Sequence, residues 1–245
     1  MSKRETYRAL LRDMPEWDAY LLQESGLPGP RGNLELAQAV ADVGDRPRFE
    51  RYLAHGPDTA PVNSPYEFLA FCGAVGLGRL LAAGDDTVLA VLRRCAADPR
   101  WRLREGVAMA LQRLGDADMP TLLAAMRVWA RGTPLEQRAA AAALCEPRLL
   151  DVPAHARATL QILDDITASI PRVTDRRSDG FRALRQGLGY CWSVAVAALP
   201  AEGKALMEKW LASPDPDLRW IMRENLKKAR LERADSEWVK RMGER

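Results

Sequence analysis

Arginine is the residue type with the greatest capacity for chemistry in this sequence. Only six of the 36 basic residues are lysines, so arginine supplies most of the positive charge. A guanidinium can bind a phosphate or a carboxylate through two parallel hydrogen bonds, which lysine cannot do. Arg127 and Arg131 are four residues apart, so on a helix they share a face. Two plainer explanations stay open: a GC-rich genome gives the same excess, and cations in a last helical turn also bind exposed carbonyls.

Two aromatic–carboxylate pairs are the other feature with possible chemistry. Trp101 and Glu105 are four residues apart, and so are Trp220 and Glu224. On a helix this spacing places each ring on the same face as its carboxylate. Arginines flank both pairs. The simpler interpretation is structural, with the tryptophans filling gaps between packed helices.

The sequence offers little else for catalysis or for binding metals and cofactors. Histidine-based catalysis has few candidates, because His55 and His155 are the only histidines in the sequence. No glycine-rich phosphate loop follows a predicted strand. The glycines at 73, 76 and 78 are expected to permit close packing of helices. The four cysteines have no zinc-ligand spacing. We therefore predict no metal site and no cofactor.

Composition and charge exclude several classes of protein. The chain has 245 residues, of which 47% are hydrophobic, and a formal net charge of +3. This composition is typical of a folded protein rather than a disordered one. The charge is too small to require nucleic acid as the partner. The longest apolar stretches are far shorter than the ~20 residues that span a bilayer. We expect a reduced, cytoplasmic protein without a membrane partner.

Hydrophobic residues recur at the helical period in almost every segment. Leu103, Val107, Ala110 and Leu111, for example, fall on one apolar stripe of a helix. No segment sustains the alternation of apolar and polar residues that is typical of a half-buried strand. The sequence therefore predicts an all-α protein.

Proline and glycine residues fall mainly between these stripes and divide the chain into helix pairs. An N-terminal helical cap is expected at residues 3–24, broken by Pro15 near Met14, followed by a turn-rich loop at 25–32. A second long loop is expected at 172–180. Helix pairs are expected at about 33–55, 64–97, 99–131, 134–170, 178–212 and 215–242.

Two patterns indicate internal repetition. Gly-Asp dipeptides at 44–45, 84–85 and 115–116 each suggest a helix that ends at a left-handed glycine, with the aspartate capping the next helix. In addition, two segments superpose with a constant offset of 115 residues. The first contains Pro99, Leu103, Arg104 and Leu111, and the second contains Pro214, Leu218, Arg219 and Leu226.

Residues 98–116 resemble a HEAT repeat. The similarity lies in Asp98-Pro99-Arg100-Trp101-Arg102-Leu103-Arg104, followed by Val107-Ala108, Ala110-Leu111 and Leu114-Gly115-Asp116. The resemblance implies a right-handed α–α superhelix, a HEAT-like solenoid of about six helix pairs stacked over residues 33–242 in a single domain, 1–245. It also implies a contact between Asp98 and Arg104 that links adjacent repeats.

The resemblance also implies a binding surface. In HEAT-like solenoids the second helix of each pair lines the concave face. The partner-binding candidates on these helices are Arg51, Arg94, Arg127, Arg131 and Arg157. A protein of this kind is expected to be a scaffold that binds another protein and has no catalytic activity of its own.

An alternative is a nucleic-acid-binding solenoid. The chain is similar to HEAT-like DNA glycosylases, which remove alkylated bases and carry tryptophans and a carboxylate on a basic concave face. This similarity implies that Trp220 and Glu224 are catalytic, with the carboxylate stabilising an oxocarbenium-like sugar as the cationic base leaves.

Overall fold

The computed structural model describes residues 2–244, and in this range helices joined by loops are the only regular secondary structure, with no strand. The all-α prediction is confirmed. The chain forms two compact units, the first reaching to Ala117 and the second beginning at Asp118. None of the helices in residues 2–244 combines the length and the apolar character needed to cross a membrane.

The first unit contains seven helices within the described residues. They are α1 (Lys3–Asp13), α2 (Asp18–Glu24), α3 (Leu34–Val43), α4 (Arg46–Leu53), α5 (Pro65–Ala82), α6 (Thr87–Cys95) and α7 (Trp101–Ala117). The expected cap is therefore two helices, separated around Pro15, and the expected loop at 25–32 joins α2 to α3.

The second unit contains eight helices up to residue 244. They are α8 (Met119–Trp129), α9 (Pro134–Leu144), α10 (Pro153–Ser169), α11 (Asp179–Ala198), α12 (Pro200–Leu211), α13 (Pro216–Leu226), α14 (Ala229–Ala234) and α15 (Ser236–Gly243). Two 3-10 turns, Pro147–Leu149 and Ile170–Arg172, flank α10. The last expected pair has two short helices, α14 and α15, in place of one second helix.

The three Gly-Asp dipeptides have different conformations. Gly44 ends α3 with a φ of −73°, so it is not left-handed, while Asp45 caps α4 by accepting a hydrogen bond from Arg48. Gly84 has a φ of +93°, as predicted for a left-handed glycine. The turn predicted at Gly115 is wrong, because α7 continues through it to Ala117 and Asp118 caps α8 instead.

Helix α5 forms the centre of the first unit, and glycines let its neighbours approach closely. A Cβ atom at Gly76 would lie 2.2 Å from the Phe49 ring, and one at Gly78 would lie 2.5 Å from the Ala110 Cα atom. Real Cβ atoms do not come so near to other atoms, so larger residues there would push α4 and α7 away. The prediction that these glycines permit close helix packing is confirmed.

In the second unit, α11 packs against α9, α10, α12, α13 and α14, and polar side chains fix its position. Trp192 donates from Nε1 to Thr167 Oγ1 on α10 at 3.1 Å. Asn225 on α13 is fully buried and forms hydrogen bonds to the α11 backbone. Its Oδ1 accepts from the Ser193 amide at 2.7 Å, and its Nδ2 donates to the Leu188 carbonyl at 2.8 Å.

The two segments related by the 115-residue offset share an arginine contact. Arg104 donates from Nη1 to the main-chain oxygens six and five residues earlier, at 2.7 and 2.9 Å. Arg219 makes the same two contacts, both at 2.9 Å. The carboxylate of Asp98, expected to meet Arg104, accepts hydrogen bonds from Arg100 at 2.8–2.9 Å.

Candidate functional site

A groove in the second unit contains two of the arginines that the sequence singles out. It has a volume of about 570 Å³ and is open to solvent. We call it the arginine groove. It is lined by Arg127, Ala130, Arg131, Gly132, Pro134, Gln137, Asp165, Ala168, Ser169, Arg172 and Val173. These residues come from the end of α8, the start of α9 and the end of α10 with its 3-10 turn.

The local sequence explains why the arginines face solvent. Met126 and Trp129 are buried and hold the apolar side of α8 against the core. Arg127 and Arg131 lie outside that apolar stripe and are exposed. Gln137 fixes the wall of the groove, because its Nε2 donates to the Ala130 carbonyl at 3.0 Å and to Ser169 Oγ at 3.1 Å.

The charges in the arginine groove are unbalanced. Arg127, Arg131 and Arg172 are exposed, and within residues 2–244 their side chains make no ion pair or hydrogen bond. Asp165 is the one acidic residue in the lining. Three positive charges therefore face one negative charge in a single concave surface. A carboxylate or phosphate that enters it can form charge-assisted hydrogen bonds with guanidinium groups.

The arginines at the end of α8 do not serve the carbonyl groups of their own helix. The Met126 carbonyl accepts from the Ala130 amide at 2.9 Å, and the Val128 carbonyl accepts from the Arg131 amide at 3.2 Å. The Ala130 carbonyl accepts from Gln137. Main-chain and glutamine donors thus fill the role that the plainer explanation assigned to the guanidinium groups, which remain available to a ligand.

The other predicted partner-binding arginines lie elsewhere. Arg51 in the first unit forms an ion pair with Asp18 through two hydrogen bonds of 2.6 and 3.0 Å. Arg157 pairs with Glu202 at 2.6 Å and keeps the pKa of that carboxyl below its usual range. Arg94 is exposed on α6, and its side chain has no ion pair or hydrogen bond in the described chain. Of the five candidates, the structure brings together Arg127 and Arg131.

Sequence reasoning missed Arg172 as a member of the site. Residues 172–180 were expected to form a loop, and no pattern linked Arg172 to α8. The structure places it in the 3-10 turn after α10, beside the end of α8. Asp165 and Ser169 were missed for the same reason, since they reach the groove only through the packing of α10.

The alternative catalytic residues are engaged with neighbouring side chains. The guanidinium carbon of Arg185 lies 3.6 Å from the centre of the Trp220 ring, so it covers one face of the indole. Arg185 is also paired with Asp217 at 2.7 Å. Glu224 accepts from Lys227 at 2.5 Å. A catalytic role for Trp220 and Glu224 stays a prediction.

The other aromatic–carboxylate pair lies at a cavity in the first unit. Trp101 and Glu105 line a cavity of about 260 Å³ together with Phe68, Phe71 and Met109. Trp101 is 45% exposed and stands at the cavity's edge. We call this space, lined by the residues just named, the aromatic cavity.

No protein-family model matches the chain, and a comparison with curated proteins finds no significant similarity. Across the described part of the chain, no three histidine, cysteine, aspartate or glutamate side chains come together as a metal site would need.

Proposed function

We propose that this protein is a non-enzymatic interaction module whose arginine groove binds an acidic segment of a partner protein. One observation carries the proposal: Arg127, Arg131 and Arg172 line one groove with no ion pair among the described residues. Clusters of arginines recognise acidic or phosphorylated peptide motifs in this way. The partner's carboxylates would supply the counter-charges that the fold itself does not.

The neighbouring charges favour an acidic protein segment over nucleic acid. Binding to a nucleic-acid backbone gains affinity from each phosphate that a cation neutralises, so it needs an extended row of available cations. Several other cations of the second unit are already paired with carboxylates. Arg157 binds Glu202 at 2.6 Å, Lys209 binds Asp164 at 3.0 Å, and Lys204 binds Asp235 at 2.5 Å. Within the groove, three arginines lie together with one acidic residue, which suits a short acidic segment.

We propose further that the helices belong to a HEAT-like solenoid acting in the cytoplasm. The matching contacts of Arg104 and Arg219 support repetition, because two helices 115 residues apart begin with the same side-chain-to-backbone contact. The succession of helices joined by short connections within each unit supports it as well. A reducing compartment agrees with four cysteines that are all free thiols.

The test is fluorescence anisotropy of a short, labelled, glutamate-rich peptide titrated with the protein at roughly 50 and 200 mM salt. We expect binding at the lower salt. The double variant Arg127→Glu with Arg131→Glu should weaken it by about tenfold or more, because both contacts become repulsive. The matched control is Arg223→Glu with Arg241→Glu, which changes the net charge equally at exposed positions outside the groove.

Labelled duplex DNA serves as the competing ligand in the same titration. If DNA binds more tightly than the peptide, and if its affinity falls steeply as the salt concentration rises, the nucleic-acid alternative replaces this proposal. If neither ligand binds, or if both double variants weaken peptide binding equally, the groove is not the binding site.

A further inference from the structure

The aromatic cavity lies in the first unit and is separate from the arginine groove. One face of α7 supplies Trp101, Arg102, Glu105 and Met109, and α5 supplies two phenylalanines. Leu34 and the loop residues Arg31 and Gly32 complete the lining. The walls are mainly apolar and include two aromatic rings of α5 and the indole of α7. Pockets for drug-sized ligands have volumes of ~300–1,000 Å³, so about 260 Å³ suits a ligand with a single ring.

A network of hydrogen bonds and one ion pair fixes the shape of the cavity. Arg102 has only 8% of its side chain exposed, and it pairs with the fully buried Glu67 at 3.1 Å. Its Nη2 donates to the Gly29 carbonyl at 2.7 Å and to Asn63 Oδ1 at 3.2 Å. Asn63 also binds the Gly29 amide at 3.0 Å. These bonds fasten the loop before α3 to α5 and α7, and so fix the walls.

Two donors on residues that line this apolar site have no partner among the described residues. The buried Nε of Arg102 has no hydrogen-bond partner among the described residues, although the other two nitrogens of that guanidinium are engaged. An unused buried donor costs free energy that a bound acceptor would recover. Arg31 is exposed at the rim, and its side chain has no ion pair or hydrogen bond within residues 2–244.

The charge balance of the site favours an anion. The charge of Arg102 is matched by Glu67, and Glu105 already has an interaction partner within the protein. Among the positively charged residues of the lining, the guanidinium of Arg31 is the one without a counter-charge within residues 2–244. A ligand that fits must therefore combine one flat apolar group for the walls with one negative acceptor for the arginines.

We propose that the aromatic cavity binds a small aromatic carboxylate. The ring lies among Phe68, Phe71, Trp101 and Met109, and the carboxylate accepts hydrogen bonds from Arg31 and the Arg102 Nε. The ligand is either a free aromatic acid or the carboxyl-terminal aromatic residue of a peptide, since both present a ring next to a carboxylate. The site is independent of the arginine groove.

The experiment is calorimetric titration of the full chain with three probes. Phenylacetate carries ring and carboxylate, phenylacetamide carries the ring without the charge, and N-acetylphenylalanine represents a peptide's carboxyl terminus. For ligands of this size we expect a Kd between roughly 10 μM and 1 mM for at least one of the two acids. Phenylacetamide should bind at least about tenfold more weakly. Tighter binding of N-acetylphenylalanine than of phenylacetate identifies the peptide source, and the reverse identifies the free acid.

Variants locate the binding. Arg31→Glu and Trp101→Ala change exposed residues, so the fold should persist, and each should weaken the bound acid by about tenfold or more. The matched control is Arg12→Glu, which changes an exposed arginine of the same unit that has no partner within residues 2–244 and should leave Kd unchanged. The proposal is overturned if neither acid binds, if the amide binds as tightly as the acid, or if Arg31→Glu and Trp101→Ala keep the wild-type affinity.

Discussion

The start of α7 in the first unit and the start of α13 in the second share one contact and differ in almost everything around it. Arg104 and Arg219 bind the same two main-chain oxygens of the preceding turn. Around Arg104, the turn is held by Arg100, which is 2% exposed and binds Asp98 together with two carbonyls of the 55–60 turn. Around Arg219, the corresponding turn is held by Arg176. This residue lies in the loop before α11 and forms ion pairs with Asp215 and Asp217.

The helix contacts that follow also differ. Ala110 of α7 and Asn225 of α13 occupy equivalent positions, 115 residues apart. Ala110 meets Gly78 of α5 in a close contact of small residues. Asn225 forms hydrogen bonds with the backbone of α11 instead. The comparison teaches that a local helix-start pattern can be repeated while the tertiary contacts that shape each site are built separately.

The largest effect on stability should come from replacing Arg100, the buried arginine that holds the turn before α7. Arg100→Met removes one partner of a buried ion pair and leaves two carbonyls without their donor, while Asp98 keeps only the main-chain amide of residue 100, at a cost of about 3–5 kcal/mol. Arg176→Met in the second unit should cost only about 1 kcal/mol, because Arg176 is 29% exposed. Urea unfolding followed by circular dichroism measures both. Equal losses of unfolding free energy in the two variants would contradict the view that the two turns are held with different strength.

A smaller loss is expected for the buried amide between α11 and α13. Asn225→Ala removes the buried hydrogen bonds to the Ser193 amide and the Leu188 carbonyl, at a cost of about 2–4 kcal/mol. The control is Gln186→Ala on the exposed side of α11, which should stay within about 0.5 kcal/mol of the wild type. The same urea titration checks this. A loss no greater than that of the control would rule out Asn225 as the main link between these helices.

The smallest effect is the pH dependence of the stability that Arg176 gives to the turn before α13. The hydrogen bond from Arg176 is the main reason that the pKa of Asp215 lies below its ordinary value of 3.8, and the amides of residues 217 and 218 add to it. Because the folded pKa is lowered, the stabilisation is complete above the ordinary value and is lost as the pH falls through the folded one. The cost of Arg176→Met should therefore be full at pH 7 and shrink below about pH 3.8. Urea midpoints across this range measure it, and a cost that grows in acid would contradict the assignment.

Helix content and core positions were predictable from the sequence because they depend on local periodicity. The stripe of Leu103, Val107, Ala110 and Leu111 is buried as expected. The error at Gly115 also has a local cause, since glycine is tolerated inside a helix. A better signal was present: Asp45 and Asp118 both cap helices that carry proline two residues later.

The two candidate sites were predictable only in part, because they depend on which exposed residues of different helices meet. Helical spacing placed Arg127 and Arg131 on one face, and Trp101 and Glu105 on another. It could not show that α10 brings Arg172 to the first pair. It also could not show that Arg51 and Arg157 are neutralised, because their partners lie 33 and 45 residues away in sequence.

The most direct test of the central claim is an NMR titration of the side-chain Nε–Hε signals of the arginines with the glutamate-rich peptide. The proposed function predicts that the signals of Arg127, Arg131 and Arg172 shift together and saturate at one Kd, while those of the paired Arg51 and Arg157 stay in place. Shifts confined to other arginines, or no shifts at concentrations at which the peptide binds, would contradict the assignment of the groove as the binding site.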